Sequence, residues 1–151
     1  MKIKKIKDQS GLTVVEVLIA TLILVPLFAI GMMVFIKCID LSDMSKNSSL
    51  AVWSVKKRIA DIENTAYNQI FGNYNNTTFT INGLTGMGKT YVDNSSASHL
   101  VVTVSFSWRE RSGRIVGEDK DLDGVLDAGE DTNANGQLDS IVKLSTQIYN
   151  M

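Results

Sequence analysis

The chain has 151 residues, a formal net charge of −1 at pH 7 and a hydrophobic content of 44%. This length leaves room for about one domain beyond a membrane-spanning segment, and the near-zero charge argues against a basic nucleic-acid-binding protein. A single cysteine excludes an intramolecular disulfide. The average charge conceals an acidic segment, residues 118–139, which has eight acidic side chains and one lysine.

A basic leader precedes a long apolar segment at the N-terminus. The leader, residues 1–11, contains four lysines: Lys2, Lys4, Lys5 and Lys7. Residues 12–36 carry a single charged side chain, Glu16. About 25 residues at roughly 1.5 Å per residue make a helix of about 37 Å, enough to cross a bilayer. Because basic residues stay on the cytoplasmic side, we expect a cytoplasmic N-terminus.

The junction between leader and helix resembles a known processing signal. Residues 7–20, Lys-Asp-Gln-Ser-Gly-Leu-Thr-Val-Val-Glu-Val-Leu-Ile-Ala, resemble the prepilin signal of type IV pilins and type II secretion pseudopilins. The resemblance implies that a prepilin peptidase cleaves after Gly11 and methylates Leu12, where the family usually has phenylalanine. It also implies that Glu16 pairs with the N-terminal ammonium of Leu12 in a neighbouring subunit. The alternative is a membrane anchor in which Glu16 has no such partner.

Residues 37–70 are predicted to continue the helix in amphipathic form. Apolar residues recur at steps of three and four, which is the helical period: Leu41, Met44, Val52, Val55, Ile59, Ile62, Ala66 and Ile70. One helix is therefore predicted from near Leu12 to about Tyr67. Its first half would serve as membrane anchor and filament core, and its second half would bury one face against a globular head.

The segment after this helix is rich in Asn, Gly, Thr and Ser, and it predicts loops with one short strand at residues 77–81. Residues 83–90 formally match the phosphate-binding pattern GxxxxGK[ST]. That loop needs a helix behind it to receive the phosphates, and residues 91–96 have no helical period. We therefore predict a glycine-rich surface loop and no nucleotide binding.

Two segments alternate between apolar and polar residues, as half-buried strands do. In residues 100–109 the apolar positions are Val102, Val104, Phe106 and Trp108, and residues 142–149 alternate in the same way. His99 is interpreted as a strand-edge residue. The sequence thus predicts an α+β fold in which a long N-terminal helix packs on a small antiparallel sheet. Residues 71–151 would form this β-rich head, which is similar to the heads of minor pilins and minor pseudopilins.

An acidic insertion, residues 119–130, separates these two strands. Its acidic residues occupy positions 1, 3, 5, 9 and 12 of a calcium-binding loop, and Gly124 occupies position 6, where the chain turns sharply. The predicted ligands are side-chain oxygens and one backbone carbonyl, that of Val125: Asp119, Asp121, Asp123, Val125, Asp127 and Glu130. We expect one calcium ion to order this loop. The alternative is a solvated acidic loop.

The pattern restarts directly after the first loop. Oxygen-bearing residues recur at the same spacing: Asp131, Asn133, Asn135, Gln137 and Asp139. Position 12 of this second loop is Val142, which cannot coordinate a cation. The second loop is therefore a weaker site, a site that shares Glu130, or only a turn. The tandem arrangement resembles the calcium repeats of dockerin and thrombospondin type 3 segments.

These features together predict a structural subunit rather than an enzyme. The sequence has no nucleophile and base pair, and the prepilin resemblance implies a bacterial minor pilin of a type IV pilus. We expect a single-pass inner-membrane precursor with a periplasmic head, which joins other pilin subunits in an extracellular filament after prepilin peptidase has acted. The alternatives are a minor pseudopilin of a type II secretion system, in a periplasmic pseudopilus, and a membrane-anchored calcium-binding protein that never polymerises.

Overall fold

The structure, a computed structural model, describes residues 13–96 and 98–150. A long helix, α1 (Val14–Glu63), is followed by a short helix, α2 (Tyr67–Tyr74). Five strands follow: β1 (Thr77–Ile81), β2 (Leu84–Asp93), β3 (His99–Arg109), β4 (Ile115–Val116) and β5 (Lys143–Tyr149). All strand pairs are antiparallel. The predicted α+β class, with a long N-terminal helix and a small antiparallel sheet, is confirmed.

The chain divides into two compact units, residues 1–40 and 41–151. In the first unit the described residues form the apolar half of α1, and its side chains from Val14 to Ile39 are exposed. By length and composition α1 is able to cross a membrane. The predicted leader, with the cleavage residues Gly11 and Leu12, lies outside the described residues.

In the second unit, the later half of α1 contributes one face to the hydrophobic core. Ala51, Val55 and Ile62 are fully buried there. The prediction that Leu41 lies on this buried face is wrong, since its side chain is 64% exposed, and Met44 is also exposed. Among the described residues, α1 contributes to the core only from Leu50 onward.

Helix α1 ends at Glu63, earlier than the apolar period predicts. Two polar side chains fold back onto the last turn: Asn64 Nδ2 donates to the Ala60 carbonyl at 2.8 Å, and Thr65 Oγ1 donates to the Asp61 carbonyl at 3.0 Å. Side-chain bonds of this kind satisfy terminal carbonyls and compete with the next helical turn. The chain therefore turns before α2.

The sheet has the order β1-β2-β3-β4, and β5 also pairs with β3. The predicted apolar face of the longest strand, β3, is confirmed as buried: Val102, Val104, Phe106 and Trp108. These side chains belong to the same core as the buried face of α1. The intervening residues, Ser105 and Ser107, point to the opposite face of the sheet, yet they are also buried, at 2% and 3% exposure.

Residues 83–90 are not the surface loop that the sequence predicts, because most of them lie in the paired strand β2. Their glycines make room for neighbouring aromatic groups. A Cβ atom on Gly86 would lie 2.5 Å from the Ser107 carbonyl oxygen, and one on Gly88 would overlap the Phe79 ring. The Phe79 and Phe106 rings meet here, with centroids 5.8 Å apart. Glycine in this strand thus reflects close packing.

Replacing Gly86 by alanine should therefore destabilise the head. We expect Gly86→Ala to cost about 1–3 kcal/mol, the usual range for overpacking, since the contact atom is backbone and has little freedom to move. Gly72→Ala in α2 is the control, because no atom lies within 4 Å of its Cβ position and alanine favours helix. Chemical denaturation of both variants measures the difference; equal stabilities would contradict the packing argument.

The acidic segment between β4 and β5 covers the second face of the sheet. Leu138 is 1% exposed, its carbonyl accepts from Ser105 Oγ at 2.6 Å, and its N–H donates to the Tyr91 hydroxyl at 2.8 Å. Lys89 Nζ donates to the Gly124 carbonyl at 2.7 Å. The second unit therefore has three layers: helix, sheet and acidic segment.

Candidate metal centre

Asp119, the first predicted ligand, is buried at the start of the acidic segment with 2% exposure. Its Oδ1 accepts the Leu122 N–H at 2.7 Å, and its Oδ2 accepts the Gly124 N–H at 3.0 Å. Both donors lie within the same loop, so the backbone curls around this carboxylate. Gly124 has φ of 76°, a left-handed conformation that glycine adopts without strain.

Two further aspartates face the same point. Asp121 Oδ1 accepts the Asp123 N–H at 3.3 Å, and Asp123 Oδ1 accepts the Val125 N–H at 2.6 Å. These contacts form successive tight turns. Asp119, Asp121 and Asp123 each offer a carboxylate oxygen, and these oxygens lie within 4.8 Å of one another. The group could hold a metal ion, and hard oxygen ligands suit calcium or magnesium.

Glu130, the predicted last ligand, closes the loop and is 4% exposed. Its Oε1 accepts the Lys120 N–H at 2.7 Å, and its Oε2 accepts the Asp127 N–H at 3.2 Å. The structure therefore brings the two ends of the predicted loop together. Asp127 itself is exposed, and both Asp127 and Glu130 lie outside the group of three carboxylates whose oxygens lie within 4.8 Å of one another.

The Asp119 carboxylate is desolvated and lies close to other acidic groups. Burial raises the pKa of Asp119, the N–H groups of Leu122 and Gly124 oppose this rise, and the charges of Glu130 and Asp121 add to it. A cation at this point would favour the ionised carboxylate and reverse the effect of burial.

Sequence reasoning missed two residues of β2 that contact the acidic segment: Lys89, which contacts the first loop, and Tyr91, which contacts the second. Lys89 is 9% exposed, and burial lowers its pKa while the charges of Asp119 and Asp123 raise it. Burial also shifts the pKa of the Tyr91 hydroxyl, in this case upward. Both lie on the face of β2 opposite the helix. Reading residues 84–93 as a strand would have placed them there by alternation.

The second loop repeats the local geometry of the first. Asp131 accepts the Asn135 N–H at 3.0 Å through Oδ1 and the Gly136 N–H at 2.7 Å through Oδ2. Asn133 Oδ1 accepts the Asn135 N–H at 3.1 Å, and Asn135 Oδ1 accepts the Gln137 N–H at 2.8 Å. The predicted residues of this loop therefore lie on one curled segment of backbone.

Asp139 completes the second loop. Its Oδ2 accepts from Asn133 Nδ2 at 2.9 Å, Asn135 Nδ2 at 3.0 Å and Lys143 Nζ at 2.8 Å. Burial alone would raise the pKa of Asp139, but these three hydrogen bonds hold it below its usual value. The carboxylate is therefore ionised at neutral pH and lies against the two asparagines.

Glu16, the predicted assembly residue, has a local role at the start of α1. Its Oε2 lies 3.3 Å from the Thr13 backbone nitrogen and 3.4 Å from Thr13 Oγ1, and its own N–H donates to Thr13 Oγ1 at 3.2 Å. This reciprocal pattern is a capping box. The side chain is exposed, so these bonds leave it open to a further partner.

His99 begins β3 and lies at the end of the sheet, as the sequence predicts. Its Nδ1 is 3.1 Å from the hydroxyls of Ser96 and Ser98, and its ring centroid is 5.5 Å from that of Tyr149. These contacts lie at the start of β3.

Comparisons of the chain with protein-family models, with curated proteins and with solved structures find no match.

Proposed function

We propose that this protein is a minor pilin, a structural subunit of a bacterial type IV pilus. One observation carries the proposal: in the sequence, Gly11 stands directly before an apolar segment, residues 12–36, that contains a single charged residue, Glu16. A cleavage residue before the apolar segment, rather than after it, keeps the helix on the mature protein. This is the arrangement that a subunit needs if its helix is to leave the membrane and pack in a filament.

The exposed apolar surface of the first unit supports this proposal. Its helical side chains are apolar on all sides of the helix and exposed. In the precursor such a surface can contact lipid, and in a filament it can pack against the same helix of neighbouring subunits. The precursor would lie in the inner membrane with a cytoplasmic N-terminus and a periplasmic head. Prepilin peptidase would cleave it and methylate Leu12.

The acidic segment supports a calcium-braced head. Loop 119–130 would bind one calcium ion through Asp119, Asp121, Asp123, the Val125 carbonyl, Asp127 and Glu130. Negative charges on several carboxylates close together repel one another, and a divalent cation replaces that repulsion with attraction. Since this segment forms one layer of the head, the ion would stabilise the subunit as a whole.

Mass spectrometry of the mature protein tests the proposal. We expect the first residue to be N-methylated Leu12, with residues 1–11 removed. The same gene expressed in cells that lack prepilin peptidase is the control and should yield the chain with its leader intact. A chain that keeps Met1 in cells with active peptidase would overturn the proposal and favour a membrane-anchored protein that never polymerises.

A further inference from the structure

The acidic segment is an internal repeat of twelve-residue period. Residues 117–127 and 129–139 share one pattern, Gly-Glu-Asp-x-Asp/Asn-x-Asp/Asn-Gly-x-Leu-Asp. The backbone repeats as well, because positive φ angles occur at matching positions: Gly117 and Gly129 (120° and 90°), Leu122 and Ala134 (66° and 57°), and Gly124 and Gly136 (76° and 73°). The two loops therefore share their left-handed backbone positions.

The repeat shows which residue closes the second loop. Glu130 closes the first loop with its two carboxylate contacts and with its N–H, which donates to the Asp127 carbonyl at 3.2 Å. Glu118 makes the same three contacts with the second loop. Its Oε1 accepts the Thr132 N–H at 3.0 Å, its Oε2 accepts the Asp139 N–H at 2.9 Å, and its own N–H donates to the Asp139 carbonyl at 2.8 Å.

The two copies thus exchange their glutamates. Glu130 begins the second copy and closes the first loop, and Glu118 begins the first copy and closes the second. Counting forward along the chain puts Val142 at the closing position of the second loop. In the structure that position is filled instead by Glu118, from the other side of the first loop.

An unsatisfied oxygen in the second loop points independently to a ligand. Asp139 Oδ1 is buried and, within the part of the chain that the structure describes, has no hydrogen-bond partner. The other oxygen of the same carboxylate contacts Asn133 and Asn135, so this group lies among the predicted ligands of the loop. A buried carboxylate oxygen without a hydrogen-bond partner is costly, and a bound cation would satisfy it.

We propose that the second loop is a complete site for a divalent cation and that Glu118 is its closing ligand. The site would take a hard cation of the calcium class through oxygens of six residues: Glu118, Asp131, Asn133, Asn135, Gln137 (backbone carbonyl) and Asp139. This inference deepens the proposed calcium-braced head and rests on it. Three of these ligands are carboxylates, against five in the first loop, so the second ion binds more weakly.

Native mass spectrometry of the full chain in detergent, titrated with calcium chloride, tests the proposal. We expect two bound ions for the wild type. Glu118→Gln should weaken the second ion by at least about tenfold, as loss of a charged ligand exceeds the effect of outer-shell changes, and should leave the first ion bound. Glu63→Gln is the matched control, since Glu63 is an exposed glutamate on α1, and it should still bind two ions.

The number of bound ions on each variant tests the two loops and the role of Glu118 separately. One ion on the wild type overturns the second site and leaves the first intact, whether or not the variant folds. Two ions on Glu118→Gln with unchanged dissociation constants overturn the role of Glu118. No ion on the wild type overturns both loops. The pilin proposal depends on N-terminal processing, which is measured separately, so its failure is distinguishable from all three.

Discussion

Removal of calcium is expected to lower the melting temperature of the purified protein by about 10–20 °C. An ion that binds the folded state alone, at a concentration 100 times its dissociation constant, stabilises that state by about 2.7 kcal/mol. In a domain of this size each kcal/mol shifts the midpoint by roughly 4–8 °C. Circular dichroism melts in calcium chloride and in excess EGTA measure the shift.

The physical reason for this effect is the position of the acidic segment in the head. It covers the second face of the sheet, and it buries Asp119 and Glu130 at 2% and 4% exposure. Without a cation these carboxylates remain desolvated close to other acidic groups, which is unfavourable. We expect the segment to detach first, while the contact between α1 and β3 persists in its own hydrophobic core.

Two variants and a matched control sharpen the experiment. Asp121→Ala and Glu130→Ala remove proposed ligands, so their melting temperatures should fall and no longer respond to EGTA. Asp61→Ala removes an exposed carboxylate from α1 and should leave the response to calcium unchanged. If EGTA has no effect on the wild type, the acidic segment is held by its protein contacts alone.

The parts of the fold that the sequence predicts are those fixed by local patterns. The alternation along β3 predicts its buried face, because each side chain's direction follows from the strand itself. Strand β2 was not predicted because the packing that requires glycine at positions 86 and 88 involves residues outside this segment of the sequence. These glycines depend on Phe79, Phe106 and the backbone of Ser107, which the fold brings to them.

The candidate site also has one part that local sequence patterns predict and one part that they do not. The first loop can be predicted from the sequence because all of its proposed ligands lie within twelve consecutive residues. The role of Glu118 cannot be predicted from ligand spacing alone, because Glu118 precedes the first loop in the chain and contacts the second loop. The twelve-residue repeat was a usable signal, because it marks Glu118 as the counterpart of Glu130. Pairing the two glutamates with the two loops required the backbone contacts.

Replacing Glu16 by glutamine is expected to reduce incorporation into filaments by at least about tenfold without preventing membrane insertion. The structure gives Glu16 a capping role with Thr13, and the proposed pilin function gives it a charged partner, the Leu12 ammonium of a neighbouring subunit. Glutamine keeps the capping box but has no charge. Breaking a buried ion pair costs about 3–5 kcal/mol, and each 1.4 kcal/mol is about tenfold.

Two further variants separate the two roles of Glu16. Glu16→Ala removes both the cap and the charge, so it should assemble as poorly as Glu16→Gln. Thr13→Ala removes the hydroxyl that contacts Glu16 and keeps the carboxylate, so it should assemble nearly as well as the wild type. Immunoblots of sheared filaments against the membrane fraction measure all three. If Glu16→Gln assembles like the wild type and Glu16→Ala does not, the capping box explains Glu16 and the ion pair between subunits is excluded.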